Sequence, residues 1–330
     1  MVICYQRFID EGPMSKYRNA LPQLSTDLFL TDSGLETILI FHQEMDLPDF
    51  ASFPLLDEAQ GRQILKEYYC RHAAIAKRNR VGSVLETPTW RASADWGARL
   101  GFDKENLNRL NRMAVDLLRE VQEEFDDGVT RVVASGCLGP RGDGYDPGEI
   151  MSETEAEHYH QAQVTSLVAA GADMIGAATI TNTPEAIGIV RAAQSNNIAV
   201  CIGFTVETDG NLPTGQTLKD AIQAVDLATG NGPVYYIVNC AHPTHFDNIL
   251  STGESWLSRI QGVRANASKM SHAELDEAEN LDDGDPEELG RQFAALKAVM
   301  PNLNVLGGCC GTDHRHIEAI CSSCVDDRAS

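Results

Sequence analysis

The sequence predicts a single-domain α/β protein with the fold of a (β/α)8 barrel. From Leu28 onward, eight short strand-like segments alternate with segments of helical spacing, and such strict alternation favours a parallel sheet covered by helices. Eight strand–helix units in about 300 residues suit a closed barrel better than an open sheet. No G-x-G-x-x-G fingerprint follows the first strand, which disfavours an open dinucleotide-binding sheet.

The strands and helices follow one another in a regular order. The predicted strands are Leu28–Thr31, Ser83–Glu86, Thr130–Ser135, Asp173–Ala177, Ala199–Thr205, Val234–Asn239, Ile260–Ala265 and Asn304–Leu306. Between them, apolar residues recur at intervals of three or four, as in amphipathic helices. Two runs show this spacing: Leu107, Leu110, Ala114, Leu117, Leu118 and Val121, then Leu289, Phe293, Leu296 and Met300.

Helix boundary signals agree with this phase. Ser152 and Glu155 form a capping-box pattern, and Pro184 after Thr183 stands where a helix should begin. Gly171 and Pro301 stand where helices should end.

We expect three parts along the chain: an N-terminal extension at 1–26, the barrel at 27–325 and a short tail at 326–330. The segments Gly139–Gly148 and Ser271–Pro286, rich in glycine, proline and aspartate, are predicted to be long loops of the barrel rather than domain linkers. Within the extension, Met14 offers an alternative start. No internal repeat is visible in the sequence.

Charge and cysteine usage exclude several classes of partner. The formal net charge is −22 and no block of Lys and Arg interrupts it, which argues against binding to nucleic acid or to an anionic membrane. A small molecule is therefore the expected partner.

The nine cysteines are scattered, which is not the pattern of a disulfide framework. Without a signal peptide or a membrane-spanning run, the expected location is the cytoplasm.

The candidate site lies at the carboxyl ends of the predicted strands, where (β/α)8 enzymes place their working residues. Cys309 and Cys310 follow strand 8 inside a glycine bracket of Gly307, Gly308 and Gly311, and Cys240 follows strand 6. Alternate strands contribute to the same interior layer, so the three thiols should meet. Three thiolates with a fourth position open are typical of a catalytic Zn²⁺ site.

A structural role is the alternative interpretation of these thiols, because free cysteine is often simply buried. That interpretation is favoured for Cys240 taken alone, whereas the adjacent pair between glycines favours metal. Glycine permits the strand end to curl, and we expect the backbone at Cys309 and Cys310 to leave regular β geometry so that both sulfurs face Cys240.

Four motifs together resemble the homocysteine S-methyltransferase family, over about Leu28 to Ile320. They are Asp32-x-Gly34-x-Glu36-Thr37, Asn239-Cys240, Ala265-Asn266 and Gly307-Gly308-Cys309-Cys310-Gly311-Thr312. The resemblance implies a (β/α)8 barrel in which Cys240, Cys309 and Cys310 hold zinc. It also implies that the metal binds the sulfur of homocysteine at its open position.

The expected reaction moves a methyl group onto a thiol, which would form methionine from homocysteine. Coordination to zinc deprotonates a thiol and leaves its sulfur nucleophilic. Sulfonium or quaternary-ammonium donors, such as S-methylmethionine, S-adenosylmethionine or betaine, suit this attack. Asp32 and Glu36 could face the cationic donor or the ammonium group of the acceptor, and Asn266 is a further candidate substrate contact. A turn-forming role is the alternative for Asp32.

One position departs from the family. Members carry a Glu-Thr pair after strand 4, where the glutamate helps to hold the substrate amino group, and Ala178 occupies that glutamate position here. Glu86 at the end of strand 2, a candidate substrate contact, or Glu207 after strand 5 could replace it, although solvated or capping roles are the alternative for both. Two further functions therefore stay open: methyl transfer to another small thiol, and a ligand-binding protein without catalysis. The oligomeric state is not predicted.

Other chemically active residues have plausible structural roles. Cys321 and Cys324 form a C-x-x-C pair on a helix without a second pair at zinc-finger spacing. His242 is expected either at the site or in a turn, and Cys137 is expected in the core. Trp90 and Trp96 are expected either to line the donor pocket with their aromatic faces or to pack under a loop.

Overall fold

The computed structural model describes residues 15–325, which form a closed barrel of eight parallel strands. Each strand pairs with its neighbours in sequence, and β8 closes the barrel on β1. The strands are β1 Phe29–Thr31, β2 Gly82–Glu86, β3 Val132–Leu138, β4 Met174–Ile180, β5 Val200–Thr205, β6 Tyr235–Asn239, β7 Ile260–Ala265 and β8 Val305–Gly308. The predicted fold class is confirmed.

Helices surround the barrel and connect successive strands. They are α1 Leu35–Thr37, α2 Ala59–Asn79, α3 Ala94–Arg99, α4 Lys104–Phe125, α5 Glu153–Ala169, α6 Thr183–Ser195, α7 Leu218–Thr229, α8 Asp247–Leu250, α9 His272–Asp276, α10 Pro286–Val299 and α11 His314–Cys324. Short 3-10 turns cover Pro22–Leu24, Pro48–Phe50, Phe53–Asp57, Pro243–His245 and Ser255–Arg259, and a π turn covers Ile38–His42.

The helix boundary signals act as predicted. Ser152 and Glu155 form a complete capping box at the start of α5. Pro184 lies in the first turn of α6, where the Asn182 side chain accepts the Glu185 backbone N–H. α5 ends at Ala169, two residues before Gly171, and α10 ends at Val299, two residues before Pro301.

Three strands extend beyond their predicted ends, and β8 does so by two residues, to Gly308. β3 continues to Leu138 and β4 to Ile180, each three residues beyond its predicted end. Both continuations pair with neighbouring strands, and β4 does so across a register shift between Ala177 and Ile180. Barrel pairing therefore overrides the weak strand propensity of Gly136.

The barrel interior is filled differently at its two ends. At the amino ends of the strands, Phe29, Met174 and Tyr235 are almost fully buried in one apolar cluster. Leu21 joins this cluster from outside the barrel, and the buried Gln23 side chain donates to the Met174 sulfur. The amino end is thus closed, which leaves the carboxyl end for a cavity.

Residues 15–26 are held to this closed end by polar contacts. The Arg18 guanidinium donates to the carbonyl oxygens of Val168 and Ala172, each at 2.8 Å. The Tyr17 backbone N–H donates to Asp173 at 2.7 Å. Met14 lies outside the described residues, and the division into extension, barrel and tail stays a prediction.

Both predicted long loops belong to the barrel. Residues 139–148 contain no helix or strand, and 271–286 contain the short helix α9. None of the helices within residues 15–325 is long and apolar enough to cross a membrane.

Asn304 is the main tether between β8 and the N-terminal segment, so we expect Asn304→Ala to destabilise the protein. Its buried amide nitrogen lies 2.8–3.0 Å from the carbonyl oxygens of Gln23, Ser25 and Asp27. Loss of this donor should lower the free energy of unfolding by about 1–3 kcal/mol, measured by urea denaturation. The exposed Asn108→Ala is the control. Equal stability of the two variants would contradict the tether.

Candidate metal and substrate site

Three thiols converge at the carboxyl end of the barrel. Cys240 follows β6, and Cys309 and Cys310 follow β8. Their sulfur atoms all lie within 4.8 Å of one another, and the Cys240 and Cys310 sulfurs are 3.6 Å apart. No other group of three or more possible metal-ligating side chains is found among residues 15–325. The structure therefore brings together the three cysteines that the sequence singled out.

The turn after β8 directs both adjacent thiols to the same place. β8 ends at Gly308, and the Cys309 N–H donates to the Ala265 carbonyl at 2.7 Å. The chain then turns, with the Thr312 N–H donating to the Cys309 carbonyl at 3.1 Å and Gly311 at φ +77°. Because the backbone leaves β geometry here, successive side chains need not point to opposite faces.

Glycines make this turn sterically possible. A Cβ on Gly308 would lie 2.0 Å from the Thr312 hydroxyl oxygen, and one on Gly307 would lie 2.0 Å from that of Thr31. Gly34 also lies close to the turn, because a Cβ there would lie 2.5 Å from the Cys309 carbonyl oxygen. Any side chain at these positions would move the thiol turn.

Cys240 has a strained backbone that is fixed from both sides. Its φ is +57°, in the left-handed region that non-glycine residues rarely adopt. The Cys240 N–H donates to the Arg264 carbonyl at 2.9 Å, and His272 Nε2 lies 2.8 Å from the Cys240 carbonyl oxygen. His272 Nδ1 lies 3.0 Å from a Glu207 carboxylate oxygen. Glu207 therefore supports the thiol site through His272.

Tyr145 is a site residue that sequence reasoning missed. It lies in the loop at 139–148, and its hydroxyl oxygen is 3.1 Å from the Cys240 sulfur and 3.5 Å from the Cys310 sulfur. The ring stacks on His272 with centroids 3.9 Å apart. Burial, together with the neighbouring Cys240 and Cys310, raises the pKa of Tyr145 well above its usual value. Its only sequence signal is position in a loop after a barrel strand.

Asn239 contacts the third thiol. Its Nδ2 donates to the Cys309 sulfur at 3.4 Å, while its Oδ1 accepts the Thr179 backbone N–H. Thr179 itself has φ +60°. Two left-handed residues, Thr179 and Cys240, therefore flank Asn239, consistent with strained backbone being concentrated at functional sites.

The donor set fits a soft divalent cation. Cys309 raises the pKa of the Cys240 thiol, and burial adds to this effect, so three crowded thiols do not ionise readily by themselves. A divalent cation bound there would supply the positive charge that holds them as thiolates. Three sulfur ligands favour zinc over magnesium or calcium, and they leave one position of a tetrahedron open.

A cavity of about 270 Å³ opens directly on the thiols. Its lining includes all three cysteines, Tyr145, Trp90 and the predicted substrate contacts Asp32, Glu36 and Glu86. Cys137 also lines this cavity, because β3 continues to Leu138 and carries the cysteine to the carboxyl end of the barrel. The sequence favoured a core position for Cys137, and its side chain is indeed buried.

Arg264 joins two of the predicted substrate contacts. Its guanidinium donates to Asp32 at 2.7 Å and to Glu86 from the other nitrogen, and its Nε donates to the Gly308 carbonyl at 3.2 Å. Burial raises the pKa of Asp32 to about 7, with Arg264 opposing and Glu86 adding to the effect. A single cation therefore serves two buried carboxylates.

Space for Glu86 comes from a glycine on the facing strand. A Cβ on Gly176 of β4 would lie 2.1 Å from Glu86 Oε1. The carboxylate consequently occupies room that any other residue at position 176 would fill, and it reaches Arg264 across the barrel interior.

Asn266 is placed differently from the other predicted contacts. It is buried, its backbone N–H donates to the Ala241 carbonyl at 3.1 Å, and its side-chain Oδ1 has no hydrogen-bond partner within residues 15–325. Its side chain is not among those that line the cavity. A substrate-binding role for Asn266 stays a prediction.

The remaining candidates of the sequence have identifiable surroundings. Ala178 lines the cavity, and its carbonyl accepts the Trp90 indole N–H at 3.1 Å. His242 caps the turn at 243–245 through its Nδ1. Trp96 lies outside the cavity, beneath the Arg91 guanidinium at 3.6 Å. Cys321 and Cys324 are both buried on α11.

Comparison with known proteins identifies related sequences. A family model described as homocysteine S-methyltransferase matches residues 29–324. Homocysteine S-methyltransferase 1 of Arabidopsis thaliana is 21% identical over 259 residues, which cover 72% of this chain and 77% of that protein. Betaine–homocysteine S-methyltransferase 1 of Rattus norvegicus is 25% identical over 272 residues, which cover 76% of this chain and 62% of that protein.

Solved structures share the fold. The oxidised form of the homocysteine methyltransferase MmuM from Escherichia coli has a TM-score of 0.74 at 18% identity, covering 92% of this chain and 98% of that chain. Its metallated form has a TM-score of 0.69 at 17% identity, covering 90% and 96%. At these identities, the likeness shows the barrel and not the details of the site.

The raised pKa of Asp32 predicts how stability depends on pH. The pKa of Asp32 is about 7 in the folded protein and about 4 in the unfolded chain. The bound proton therefore contributes its full stabilisation below about pH 4, and this stabilisation is lost as the pH rises through about 7. Asparagine carries no such proton. The free energy of unfolding of the wild type should therefore fall, relative to Asp32→Asn, between about pH 4 and pH 8.

Urea unfolding across that pH range measures the difference. The exposed Asp116→Asn is the control and should follow the wild-type pH dependence. Parallel curves for the wild type and Asp32→Asn would show that Asp32 is ionised throughout.

Proposed function

This chain belongs to the homocysteine S-methyltransferase family, and from that premise we propose that it is a zinc-dependent methyltransferase that methylates the thiol of homocysteine to form methionine. The observation that carries the proposal is the convergence of the Cys240, Cys309 and Cys310 sulfurs at the floor of a cavity. Bound there, zinc would hold the acceptor sulfur as a nucleophilic thiolate.

The residues of the chain prepare that position. Cys240, Cys309 and Cys310 would hold the metal, and Asn239 orients Cys309 through its amide N–H. The Tyr145 hydroxyl lies against two of the sulfurs. Hydrogen bonds to metal-binding groups commonly fix their orientation and tune their basicity.

The cavity lining suits a cationic methyl donor. Trp90, Tyr145, Phe50 and Tyr69 contribute aromatic surface to its wall, and aromatic faces attract sulfonium and quaternary ammonium groups. When the thiolate attacks the donor methyl carbon, a sulfur–carbon bond forms and the bond between the methyl carbon and the onium sulfur or nitrogen breaks. The electron pair of the broken bond stays on that sulfur or nitrogen, which thereby loses its positive charge. Exclusion of water by this wall would strengthen the electrostatic interactions within the cavity.

A second acceptor is favoured by one observation. Ala178 lines the cavity where the family commonly has a glutamate, and its methyl group cannot accept a hydrogen bond from an amino group. Another small thiol is therefore the alternative acceptor.

We also propose a cytoplasmic location, because the catalytic thiols must stay reduced and no disulfide is formed among the cysteines of residues 15–325.

Metal analysis tests the centre. We expect the reduced protein to bind one zinc ion per chain, and Cys309→Ala and Cys310→Ala to lose it, because two sulfur ligands hold zinc weakly. Cys137→Ala is the matched control, since Cys137 lines the same cavity but lies outside the thiol cluster. Full zinc content in both cluster variants would reject the ligand assignment.

A donor-by-acceptor assay tests the reaction. Freshly reduced zinc protein should transfer labelled methyl groups from S-methylmethionine, S-adenosylmethionine or betaine to homocysteine, and Cys310→Ala should abolish transfer while Cys137→Ala retains it. A panel of other small thiols separates the two acceptor hypotheses. Turnover with another thiol and none with homocysteine would support the alternative, and no transfer to any thiol would exclude the catalytic function.

A further inference from the structure

The acidic residues that line the cavity differ in how their charge is compensated. They are Asp32, Glu36, Glu86, Asp143 and Asp276. Arg264 pairs with the first and third of these, and Arg91 pairs with Asp143 at 3.2 Å. Asp276 is exposed on α9. Within residues 15–325, Glu36 forms no ion pair with a basic side chain, and its one side-chain partner is Ser52.

Glu36 is held in place next to the thiol turn. It lies in α1, the single helical turn that follows β1. On one side of it, the Gly34 N–H donates to the Thr312 carbonyl at 3.2 Å; on the other, the Gly311 N–H donates to the Thr37 hydroxyl at 3.2 Å. The position of Glu36 is therefore fixed relative to the Cys309–Cys310 turn.

The carboxylate is held by hydrogen bonds and not by an ion pair. The Ser52 hydroxyl donates to Oε1 at 2.6 Å, and no basic side chain among residues 15–325 forms an ion pair with either oxygen. Ser52 is buried, whereas the Glu36 side chain keeps some accessible surface and lines the cavity. Burial raises the pKa of Glu36, and the Ser52 hydroxyl together with the more distant Arg264 and Arg91 guanidinium groups opposes this effect only in part. A buried charge of this kind is unfavourable unless a partner compensates it.

We propose that Glu36 binds the ammonium group of the acceptor amino acid, and that this contact determines specificity for a thiol that carries an amino group. The assignment rests on the proposed function, because the sulfur of the same molecule must reach the three thiols. It gives the carboxylate the cation that it lacks. Glu36, after the end of β1, would thereby accept the hydrogen bond from the amino group that Ala178, on β4, cannot accept.

The cationic donor is a less suitable partner for Glu36. Its positive charge disappears as the methyl group leaves, so a carboxylate beside it would stabilise the substrate more than the transition state and slow the reaction. The ammonium of the acceptor keeps its charge throughout, so a contact with it stabilises substrate and transition state alike. This contact should affect binding far more than the rate of the chemical step.

The test compares two acceptors that differ only in the amino group, homocysteine and γ-mercaptobutyrate. In Glu36→Gln, both Kd and KM for homocysteine should rise about 10- to 100-fold, the range of a charge-assisted hydrogen bond, while kcat changes little. Binding of γ-mercaptobutyrate should change less than about twofold, because it makes no such contact. Kd is measured by calorimetry on the zinc-loaded protein with no donor present.

Controls separate this result from loss of structure. Exposed Glu44→Gln should leave both acceptors unchanged, and Glu36→Gln should keep its zinc content and melting temperature. The role of Glu36 would be overturned if Glu36→Gln bound both acceptors more weakly by the same factor, or bound both as tightly as the wild type. If the wild type binds zinc and homocysteine but transfers no methyl group, the proposed function fails while the calorimetric comparison still decides the role of Glu36.

Discussion

The convergence of three sulfur atoms at one end of the barrel imposes constraints throughout this structure. Cys240 and the Cys309–Cys310 pair follow β6 and β8, and both strands pair with β7, which sets their ends at one level. From there the thiols meet only because Cys240 adopts a left-handed conformation and the turn after β8 is rich in glycine. Such strain persists where the surrounding structure fixes it, and here barrel closure does so.

Charge sets the second constraint. Asp32, Glu86 and Arg264 come from β1, β2 and β7 and meet inside the barrel, leaving more carboxylates than cations at the cavity. A surplus of negative charge in a buried site is unfavourable in the empty protein and becomes favourable when a cation enters. The cavity is therefore matched to cationic ligands by its own imbalance, whereas the net charge of the surface acts only at long range.

The sequence predicted the parts of this site that depend on strand order. Eight alternating units imply a barrel, and a barrel places the residues after β6 and β8 together. Tyr145 could not be predicted, because the course of a ten-residue loop follows from tertiary contacts. Arg264 lies within a predicted strand, but its partners come from strands far away in sequence. Asn266 shows a third limit, since one residue of register decides whether a side chain faces the cavity.

The end of β4 is consistent with the proposal that another part of the cavity binds the acceptor amino group. Thr179 is left-handed and gives its N–H to Asn239, which in turn donates to Cys309. The β4 end therefore contributes its backbone to the thiol centre, and Ala178 adds no charge. A glutamate at position 178 would add one more carboxylate to a cavity that Asp32 and Glu86 already line, and like charges in a buried site disfavour ionisation. Glu36 has the Ser52 hydroxyl as its side-chain hydrogen-bond partner, and it forms no ion pair with Arg264 within residues 15–325.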